Sequence, residues 1–574
     1  MLLEQAAVAA IFALTIGALV FSHWRASSIF SLALLALFAC QIITIETALA
    51  KSTNSGVITL IALMLASRAL ERTSLLKQFA RNALEKNQTK SLFKLTSLAA
   101  IASSFLNNTA VVAALIRPIK NQNKIAASKL LLPLSYAAIL GGTTTLIGTS
   151  TNMVVNSFWM DLGHPSLDFF AFFPVGVALL VTGLIIIILR KNTLPEHHLQ
   201  TDSQKYFVDL KVKSDSPMIG KSVSENELRN LNSFFLIEII RREQSITPVQ
   251  PDHLIEAGDR LVFSGDVSFI DELQTLPGVK FFAEHTGLMS DNLIEVVLSS
   301  SSGLIGKTMK SAGFRAMFDA AVVGLKRNGL QIPGKLGEIQ LNEGDNLLLA
   351  TGSDFKSRKN LDKHFFIISD MAVEQPLSTK VNYSVLAGFT AVMALTISGI
   401  MSLLDGLIFF IAGCIAGKVI KSSELKRLFP FELWLIITAA LTLAEAMTQT
   451  GLSDNLAQFL HSAFSEQSVW FAFVGVLLTT IILTELVTNN AAAALMFPLA
   501  LSLANSFGVN EISFVMAVAF GASASFLSPY GYQTNLLVFN TGGYKFKDFI
   551  NYGLPVSICY ITVTAILVPY FFPF

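Results

Sequence analysis

The chain has 574 residues, of which 52% are hydrophobic and only 14% are charged, and its 41 basic and 40 acidic side chains nearly cancel. This composition excludes an ordinary soluble protein, and we expect a polytopic α-helical membrane protein whose surroundings are lipid and which has no nucleic-acid partner. The cysteines, Cys40, Cys414 and Cys559, all lie in apolar stretches, which excludes a disulfide framework and a cysteine-based metal site.

Residues 1–190 form the first predicted membrane repeat, which opens with an apolar stretch at residues 6–22. That stretch has no basic region before it and no small-residue cleavage site after it, so we predict a retained membrane span. Residues 68–94 are rich in lysine and arginine, and their spaced apolar side chains predict a helix lying on the inner membrane surface.

A hairpin with a polar tip is predicted inside this repeat, at residues 92–118, where the tip sequence is Asn107-Asn108-Thr109. Basic residues precede this segment and follow it at 117–129, and short cytoplasmic loops collect lysine and arginine. The segment must therefore enter and leave on the same side, as a re-entrant hairpin does. Amides and hydroxyls inside hydrocarbon are costly unless they line a cavity, so the tip is a candidate binding site.

Residues 195–380 break the membrane pattern with charged, β-branched stretches and glycine-rich turns, and they contain a duplication with an offset of 86 residues. We predict two tandem soluble α/β domains, at residues 205–290 and 291–375. The matching sequences are Ile219-Gly220-Lys221-Ser222 with Ile305-Gly306-Lys307-Thr308, and Gly258-Asp259 with Gly344-Asp345.

The second membrane repeat is predicted at residues 381–574, with a hairpin at 467–500 whose tip sequence is Thr488-Asn489-Asn490. Residues 450–468 lack lysine and arginine and should face outward, so this hairpin enters from the side opposite to the first. The two halves then form an inverted-topology repeat. A duplicated pair of polar-tipped, broken hydrophobic segments is a sequence pointer to the binding site of a secondary transporter.

The membrane part resembles the divalent anion:sodium symporter (DASS) family of the ion transporter superfamily. In that family a Ser-Asn-Thr signature at each hairpin tip faces an unwound loop in the following helix. The corresponding loops here are Gly148-Thr149-Ser150-Thr151-Asn152 and Gly531-Tyr532-Gln533-Thr534-Asn535. The resemblance implies sodium ions as coupling ions, a small anion as substrate and a homodimeric assembly.

Residue by residue, the resemblance implies two sets of ligands. Sodium is a hard cation that suits amide, hydroxyl and backbone carbonyl oxygens, and helix N-termini suit an anion. The implied substrate-binding residues are Asn108, Thr109, Thr151, Asn152, Asn489, Asn490, Thr534 and Asn535. The implied sodium-binding residues are Ser103, Asn107, Asn108, Gly148, Thr484, Thr488, Asn489 and Gly531.

Two features depart from the family pattern. Asn107 replaces a serine and Asn490 replaces a threonine, so a site rich in amides could hold sulfate as well as a di- or tricarboxylate. Glu485 lies four residues before Asn489, at the place that Ser104 takes in the first repeat. A carboxylate at membrane depth is either a coupling site for a proton or cation, or an ion-pair partner.

The tandem soluble domains resemble TrkA-C (RCK-C) domains, the small regulatory modules attached to cation channels and many transporters. This resemblance implies dimerisation and binding of a small anionic effector, such as a nucleotide, although a spacer without a ligand is the alternative. The candidate effector-binding residues are Gly220, Lys221, Arg241, Gly306, Lys307 and Arg327.

We therefore predict a sodium-coupled symporter of a divalent anion, sulfate or a di/tricarboxylate, that works by alternating access in a bacterial inner membrane with cytoplasmic TrkA-C domains. One alternative is a cation/proton antiporter with RCK regulation, which Glu485 favours. An RCK-gated ion channel is a second alternative, but no selectivity-filter sequence occurs. The sequence contains no catalytic constellation, so an enzyme is not expected.

Overall fold

A computed structural model of the chain describes residues 2–574 with internal gaps. The middle of the predicted surface helix, at residues 74–78 and 80–82, lies outside the described residues, whereas its two ends belong to helices Ser55–Glu71 and Gln88–Ser103. The predicted domain boundaries near 290 and 375 also lie outside the described residues. The gaps are residues 23, 74–78, 80–82, 121, 123, 197–204, 229–230, 232, 242–243, 247–248, 267–270, 282–292, 300–301, 328–329, 333–335, 352–354, 356–357, 359–360, 368–377, 421–424, 426–428 and 465–467.

The first half of the membrane part contains helices and no strand among its described residues. A bend of 43° separates the third and fourth of its helices. The helices are α1 (Leu2–Phe21), α2 (Ala26–Ala39), α3 (Ile45–Ser52), α4 (Ser55–Glu71), α5 (Gln88–Ser103), α6 (Asn108–Lys120), α7 (Leu131–Gly142), α8 (Ser150–Asp161) and α9 (Phe173–Leu189).

The insert between the halves contains two five-stranded antiparallel sheets with the same topology. Their strand orders are β3-β2-β4-β1-β5 and β8-β7-β9-β6-β10. The strands are β1 (Lys205–Val212), β2 (Phe234–Arg241), β3 (Gln244–Ile246), β4 (Arg260–Asp266), β5 (Val279–Phe281), β6 (Leu293–Leu298), β7 (Ala320–Arg327), β8 (Leu330–Gln331), β9 (Asn346–Thr351) and β10 (Phe365–Ile367). Short helices α10 (Asp271–Gln274), α11 (Phe314–Phe318) and α12 (Leu361–His364) accompany them.

The duplication seen in the sequence extends to the register of the strands. Lys211 pairs with Arg260 in the first sheet, and Val297 pairs with Asn346 in the second, at the same 86-residue offset. The register also shifts at matching places, after Leu236 in β2 and after Val322 in β7. Each unit has a hydrophobic core, and Leu348 of the second unit packs into the core of the first.

The second half of the membrane part is again helical. Its helices are α13 (Thr379–Ile397), α14 (Leu403–Ala416), α15 (Phe431–Gln449), α16 (Leu452–Phe464), α17 (Val469–Leu486), α18 (Asn489–Phe507), α19 (Glu511–Ser523), α20 (Gln533–Gly542) and α21 (Phe546–Phe571). Within the described residues, six helices of the whole chain are long and apolar enough to cross a membrane, and the bent pair α3–α4 is a seventh candidate.

Both predicted unwound loops begin earlier than expected. The first helix pair is interrupted at residues 143–149 and the second at 524–532, so Ser150 and Gln533 already begin the next helix. The first break has a local cause, since Thr143 and Thr144 turn their hydroxyls back to the carbonyls of Leu140 and Gly141 over 2.8 and 2.7 Å. Such side-chain bonds compete with the helical pattern.

Buried tyrosines form hydrogen bonds between different helices and breaks. Tyr136 donates to the carbonyl of Phe526 over 2.5 Å and thereby joins α7 to the break in the second half. Each of these hydroxyls is buried and donates to a backbone carbonyl, which contributes roughly 1 kcal/mol per bond. The other three pairs are Tyr544 with Ser128, Tyr552 with Ile187 and Tyr560 with Phe520.

Candidate functional site

Four helices begin at one place between the two halves. Helices α6 and α18 begin at Asn108 and Asn489, and Thr149 and Tyr532 precede α8 and α20. The Tyr532 hydroxyl links these starts, because it accepts from Asn108 Nδ2 over 2.7 Å, lies 3.0 Å from Thr149 Oγ1 and hydrogen-bonds to Asn489. Among the described residues, no side chain caps the start of α8, α18 or α20. The first backbone N–H groups of these three helices therefore face this place without a side-chain partner.

The first-half part of the site is built around Asn108. The Ser103 hydroxyl donates to Asn108 Oδ1, which fixes the amide at the start of α6. A Cβ at Gly142 would lie 2.6 Å from the same oxygen, and a Cβ at Gly148 would lie 2.4 Å from the Gly142 carbonyl. Glycine at both positions therefore lets backbone carbonyls of the break approach the amide, which brings the predicted residues Ser103, Asn108 and Gly148 together.

Glu485 holds the break of the second half. Its carboxylate oxygens accept hydrogen bonds of 2.8–3.2 Å from three backbone N–H groups and one hydroxyl. Unwound backbone must find partners for its N–H groups, and this carboxylate supplies them. No ion pair of Glu485 occurs in the described parts of the chain, so the geometry adds a third role to the two predicted ones, namely positioning the loop. The donors are the N–H groups of Phe526, Leu527 and Ser528 and the hydroxyl of Ser525.

Thr484 and Gly531 meet beside this carboxylate. The Thr484 hydroxyl donates to the Ala522 carbonyl over 2.8 Å, so its proton is engaged and its lone pairs face away from that bond. A Cβ at Gly531 would lie 2.9 Å from the Thr484 carbonyl and 2.3 Å from Ser525 Oγ. The Gly531 N–H donates to Ser528 Oγ over 3.0 Å. The arrangement places carbonyl and hydroxyl oxygens around the second break as in the first.

Two equivalent asparagines fasten the helices that follow the breaks. Asn152 Nδ2 donates to the Thr145 carbonyl over 2.9 Å, and Asn535 Nδ2 donates to the Ser525 carbonyl over 2.9 Å. Asn152 Oδ1 and Thr534 Oγ1 are buried and have no hydrogen-bond partner among the described residues. Buried polar atoms without partners are rare, which makes these two oxygens candidates for contact with a ligand.

Further hydrogen bonds cross between the halves and interlock the tips with the breaks. Asn107 instead stays local, because its Oδ1 accepts from the Thr109 N–H over 2.9 Å. Of the predicted membrane residues, Thr488 alone is exposed, and it directly precedes Asn489 at the start of α18. The crossing pairs are Ser150 with Asn490 at 3.0 Å, Thr109 with Gln533 at 3.4 Å, Thr151 with Ser523 at 2.5 Å and Ser135 with Asn535 at 2.7 Å.

The six candidate effector residues of the insert form two equivalent groups. The turns at Gly220 and Gly306 have positive φ and open space around them, and Lys221 and Lys307 are exposed. Arg241 and Arg327 lie close by, since their Nη2 atoms donate to the Leu254 and Gln340 carbonyls beside these turns. Both guanidinium groups, however, make two bonds of 2.7–2.9 Å each to the buried carboxylates of Asp259 and Asp345. The arginines are thus engaged in fixing the fold of each unit.

The second insert unit contacts the membrane helices that carry the site. Lys120, at the end of α6, lies 3.0 Å from Glu295 of β6, whose other oxygen accepts from Asn346 over 2.7 Å. Asn540, near the end of α20, donates to the Gly344 carbonyl over 2.5 Å. Gly258 is the equivalent of Gly344 in the first unit, and a Cβ placed there would meet no atom of the described residues within 4 Å. Two helices that begin at the site therefore end on the same insert unit.

This unit also contacts the helices outside the site. Arg25, just before α2, donates to the Ser302 carbonyl over 2.6 Å and pairs with Glu432 of α15 at 3.1 Å. The second unit thus touches both the helices that form the site and the helices around them.

Comparison with known proteins identifies the family. The family profile described as CitMHS, citrate transporter, matches residues 10–519 and 462–573. The chain belongs to the citrate transporter family. This family lies within the ion transporter superfamily, and its members are transporters and not enzymes. The chain is accordingly a multi-pass membrane transporter.

Individual relatives of this citrate transporter family member cover most or part of its length. A Chlamydomonas reinhardtii protein named for the response to sulfur deprivation is 30% identical over 564 residues, covering 93% of this chain and 96% of its own. An uncharacterized transporter of Synechocystis sp. is 29% identical over 575 residues, covering 93% and 91%. Sodium/sulfate cotransporter 2 of Chlamydomonas reinhardtii is 26% identical over 388 residues, covering 64% and 43%.

Tyr532, Lys120 and Glu295 of this transporter are not among the residues that the sequence predicts for the site or its surroundings. Tyr532 lies in the quoted loop, but the tract was interpreted through its small polar residues, and an aromatic ring there could have been singled out as an exception. Lys120 is one of the basic residues at 117–129 that predict the cytoplasmic side of the membrane, and this pattern does not predict a partner for it. The partner of Glu295 depends on how the insert packs against the membrane helices, which no local pattern predicts.

Proposed function

We propose that this transporter is a sodium-coupled symporter of a divalent anion, sulfate or a di/tricarboxylate. The observation that carries the proposal is the meeting of four helix starts at Tyr532, three of them without a side-chain cap. Free N–H groups and the positive ends of helix dipoles attract an anion without needing a cationic side chain.

The anion site in this proposal consists of groups that the two halves present to one another. The amides of Asn108 and Asn489 supply donors at the helix starts. Thr534 Oγ1, which lacks a partner among the described residues, can donate its proton to the anion. Asn152 Oδ1, which also lacks such a partner, can only accept and therefore suits a sodium ion, while the Asn152 amide nitrogen is the donor proposed for the anion. The remaining proposed substrate-binding residues are Thr109, Thr151, Asn490 and Asn535.

The sodium sites in this proposal flank the anion, one at each break. In the first half, Asn108 Oδ1 and the carbonyls near Gly142 and Gly148 lie close together. In the second half, Asn489 lies at the helix start, and the Thr484 carbonyl approaches Gly531. Such oxygens suit a hard monovalent cation. Bound sodium would neutralise part of the anion's charge, so that each ion favours binding of the other, as coupled transport requires.

Transport itself is proposed to proceed by alternating access in a bacterial inner membrane. The segments α5–α6 and α17–α18 are proposed to be re-entrant hairpins that move with α7–α8 and α19–α20 against the remaining helices of a homodimer. The many hydrogen bonds that cross between these elements support a single moving body, because such a body keeps its site intact while it moves.

The insert is proposed to be a pair of cytoplasmic TrkA-C-like regulatory units. Contacts of the second unit with α6, α20 and Arg25 give it a physical route to the site. An effector bound near the Gly220–Lys221 or Gly306–Lys307 turn would change transport only if it preferred one arrangement of these contacts. The exposed lysines suit a small anionic effector, whereas Arg241 and Arg327 stabilise the units themselves.

Uptake by purified protein in proteoliposomes tests this function. Radiolabelled sulfate, succinate, citrate and taurine are offered under an inward sodium gradient, and again under a proton gradient with potassium replacing sodium. We expect uptake of one or more divalent anions that requires sodium. Efflux of sodium driven by protons, with no anion uptake, would instead identify a cation/proton antiporter.

A further inference from the structure

Tyr532 occupies a special position in the site. Its hydroxyl is hydrogen-bonded to Asn108 and Asn489, which begin α6 and α18, and lies 3.0 Å from Thr149, which precedes α8. The ring itself precedes α20. A single side chain therefore stands at the point where both halves present their anion-attracting groups.

The first half has no such ring. Gly148-Thr149 aligns with Gly531-Tyr532, so a short threonine stands where the second half has a phenol. The Tyr532 ring extends across to the threonine hydroxyl and fills the space between the two tips from one side only. The site is thus asymmetric at its centre, although the surrounding asparagines are symmetric.

The ring is also held in place from behind. Glu485 binds three consecutive N–H groups at residues 526–528, and Ser528 Oγ accepts from the N–H of Gly531, directly before the tyrosine. A Cβ at Gly531 would lie 2.3 Å from Ser525 Oγ, so the backbone here has no room to retreat. The phenol therefore forms a wall on a fixed backbone, and hydrogen bonds with Asn108, Thr149 and Asn489 hold its hydroxyl in place.

We propose that Tyr532 determines the size of the anion that the site accepts, and that it favours a compact tetrahedral oxyanion over a di- or tricarboxylate. A tetrahedral oxyanion presents its oxygens around one centre, whereas carboxylates on a carbon chain need a longer site. The phenol oxygen accepts from Asn108, and its one proton can be turned from Thr149 to an anion oxygen when an anion is bound. This inference rests on the proposed anion transport and names its substrate class.

Two substitutions separate the size of the ring from its hydroxyl. Tyr532→Thr gives the second loop the residue of the first and removes the wall, while Tyr532→Phe keeps the wall and removes the donor. Tyr530→Phe is the matched control, because that tyrosine lies in the same loop, is exposed and takes no part in the cluster. Uptake of radiolabelled sulfate in proteoliposomes is measured with unlabelled succinate and citrate as competitors.

For wild type and for Tyr530→Phe, we expect sulfate to compete best. Tyr532→Thr should shift the ratio of inhibition constants toward succinate and citrate by about tenfold, a factor that corresponds to about 1.4 kcal/mol. Tyr532→Phe should lower the affinity for sulfate about tenfold, as expected for a lost hydrogen bond to a charged ligand. The ratio of the inhibition constants of succinate and citrate to that of sulfate should stay unchanged.

Two results would overturn the inference. One is a Tyr532→Thr variant that transports sulfate with an unchanged competition ratio, and the other is an equal shift in both variants, which would assign selectivity to the hydroxyl. If Tyr532→Thr folds but transports nothing, the ratio is read from anion-induced shifts in its unfolding temperature, and equal or absent shifts for all three anions count against the proposal. A wild-type protein that takes up no anion would refute the proposed function itself, which is a distinguishable outcome.

Discussion

The two halves of the membrane site close their broken helix pairs with different chemistry. In the first half, neutral hydroxyls do so: Ser104 Oγ lies 2.8 Å from Thr144 Oγ1, and the Ser104 carbonyl accepts from the Thr145 hydroxyl over 2.5 Å. In the second half, the position of Ser104 is taken by Glu485, whose carboxylate binds three N–H groups at once. The second half, with the Glu485 carboxylate, has the longer break, at residues 524–532, and Tyr532 lies in that break.

This difference shows how an inverted repeat can diverge while its binding groups stay matched. Asn108 and Asn489, and Asn152 and Asn535, keep equivalent places, whereas the supports behind them differ. A carboxylate that accepts several N–H bonds holds a loop more firmly than hydroxyls do, since hydrogen bonds to charged groups are the stronger ones. The second half therefore provides the rigid wall, and the first half provides the simpler loop.

Removal of the charged support should give the largest effect. In Glu485→Ala, several buried N–H groups lose their acceptor, each costing about 1–3 kcal/mol, so we expect loss of uptake and a marked drop in unfolding temperature. Glu485→Gln keeps one acceptor oxygen and should fold with reduced uptake. Thermal unfolding and uptake are measured together, with Ser104→Ala as the first-half counterpart.

The same variants decide between positioning and coupling at Glu485. If the carboxylate only positions the loop, wild-type uptake should be independent of pH between 6 and 8. A pH dependence in wild type that disappears in Glu485→Gln, with stability unchanged, would contradict this account and make Glu485 a coupling site.

A smaller, few-fold change in uptake rate is expected from variants at the contact between α6 and the second insert unit. Lys120→Glu and Glu295→Lys each place like charges against one another and should loosen α6, which raises the uptake rate a few-fold if the contact restrains movement. The double exchange should restore the wild-type rate. Lys129→Glu is the control, because the Lys129–Glu196 pair is 3.5 Å long and its glutamate is 55% exposed. Unchanged rates in both single variants would exclude the Lys120–Glu295 contact from the transport cycle.

The smallest effect concerns pH and the second insert unit. Burial, aided by Lys363, Arg25 and Lys307, lowers the pKa of His364 to about 4, and the ring packs against Phe318 and Phe365 and bonds to Ser302 at 2.9 Å. An unfolded histidine takes up its proton near pH 6.5, so stability is complete above that pH and falls as the pH drops toward 4.

Thermal unfolding at pH 7.5 and 5.5 checks this sign. Wild type should lose more stability between these values than His364→Asn. Glu295 should not contribute in this window: burial acts to raise its pKa, but Lys120 and Asn346 outweigh burial and hold the pKa below its usual range. Equal losses in the two proteins would show that another group titrates.

Much of this architecture could be predicted from the sequence because it is repeated. The short sequences repeated at the 86-residue offset and the two Asn-Asn tips can be recognised directly in the sequence. In the structure, equivalent residues of the repeats make equivalent strand pairs and hydrogen bonds. Both breaks start earlier than the glycines in the sequence predict, and at the first break the cause is hydroxyls that bond back to their own helix and end it. The role of Tyr532 depends on contacts between residues more than 380 positions apart, which no spacing rule reveals.

The central claim is that the helix starts at Asn108 and Asn489 bind an anion together with sodium. Binding of radiolabelled sulfate to the purified protein, measured with sodium and with potassium in its place, tests this most directly. We expect sodium-dependent binding in wild type and in the exposed control Asn455→Ala, and loss of it in folded Asn108→Ala and Asn489→Ala. Sodium-dependent binding at wild-type affinity in either tip variant would contradict the account.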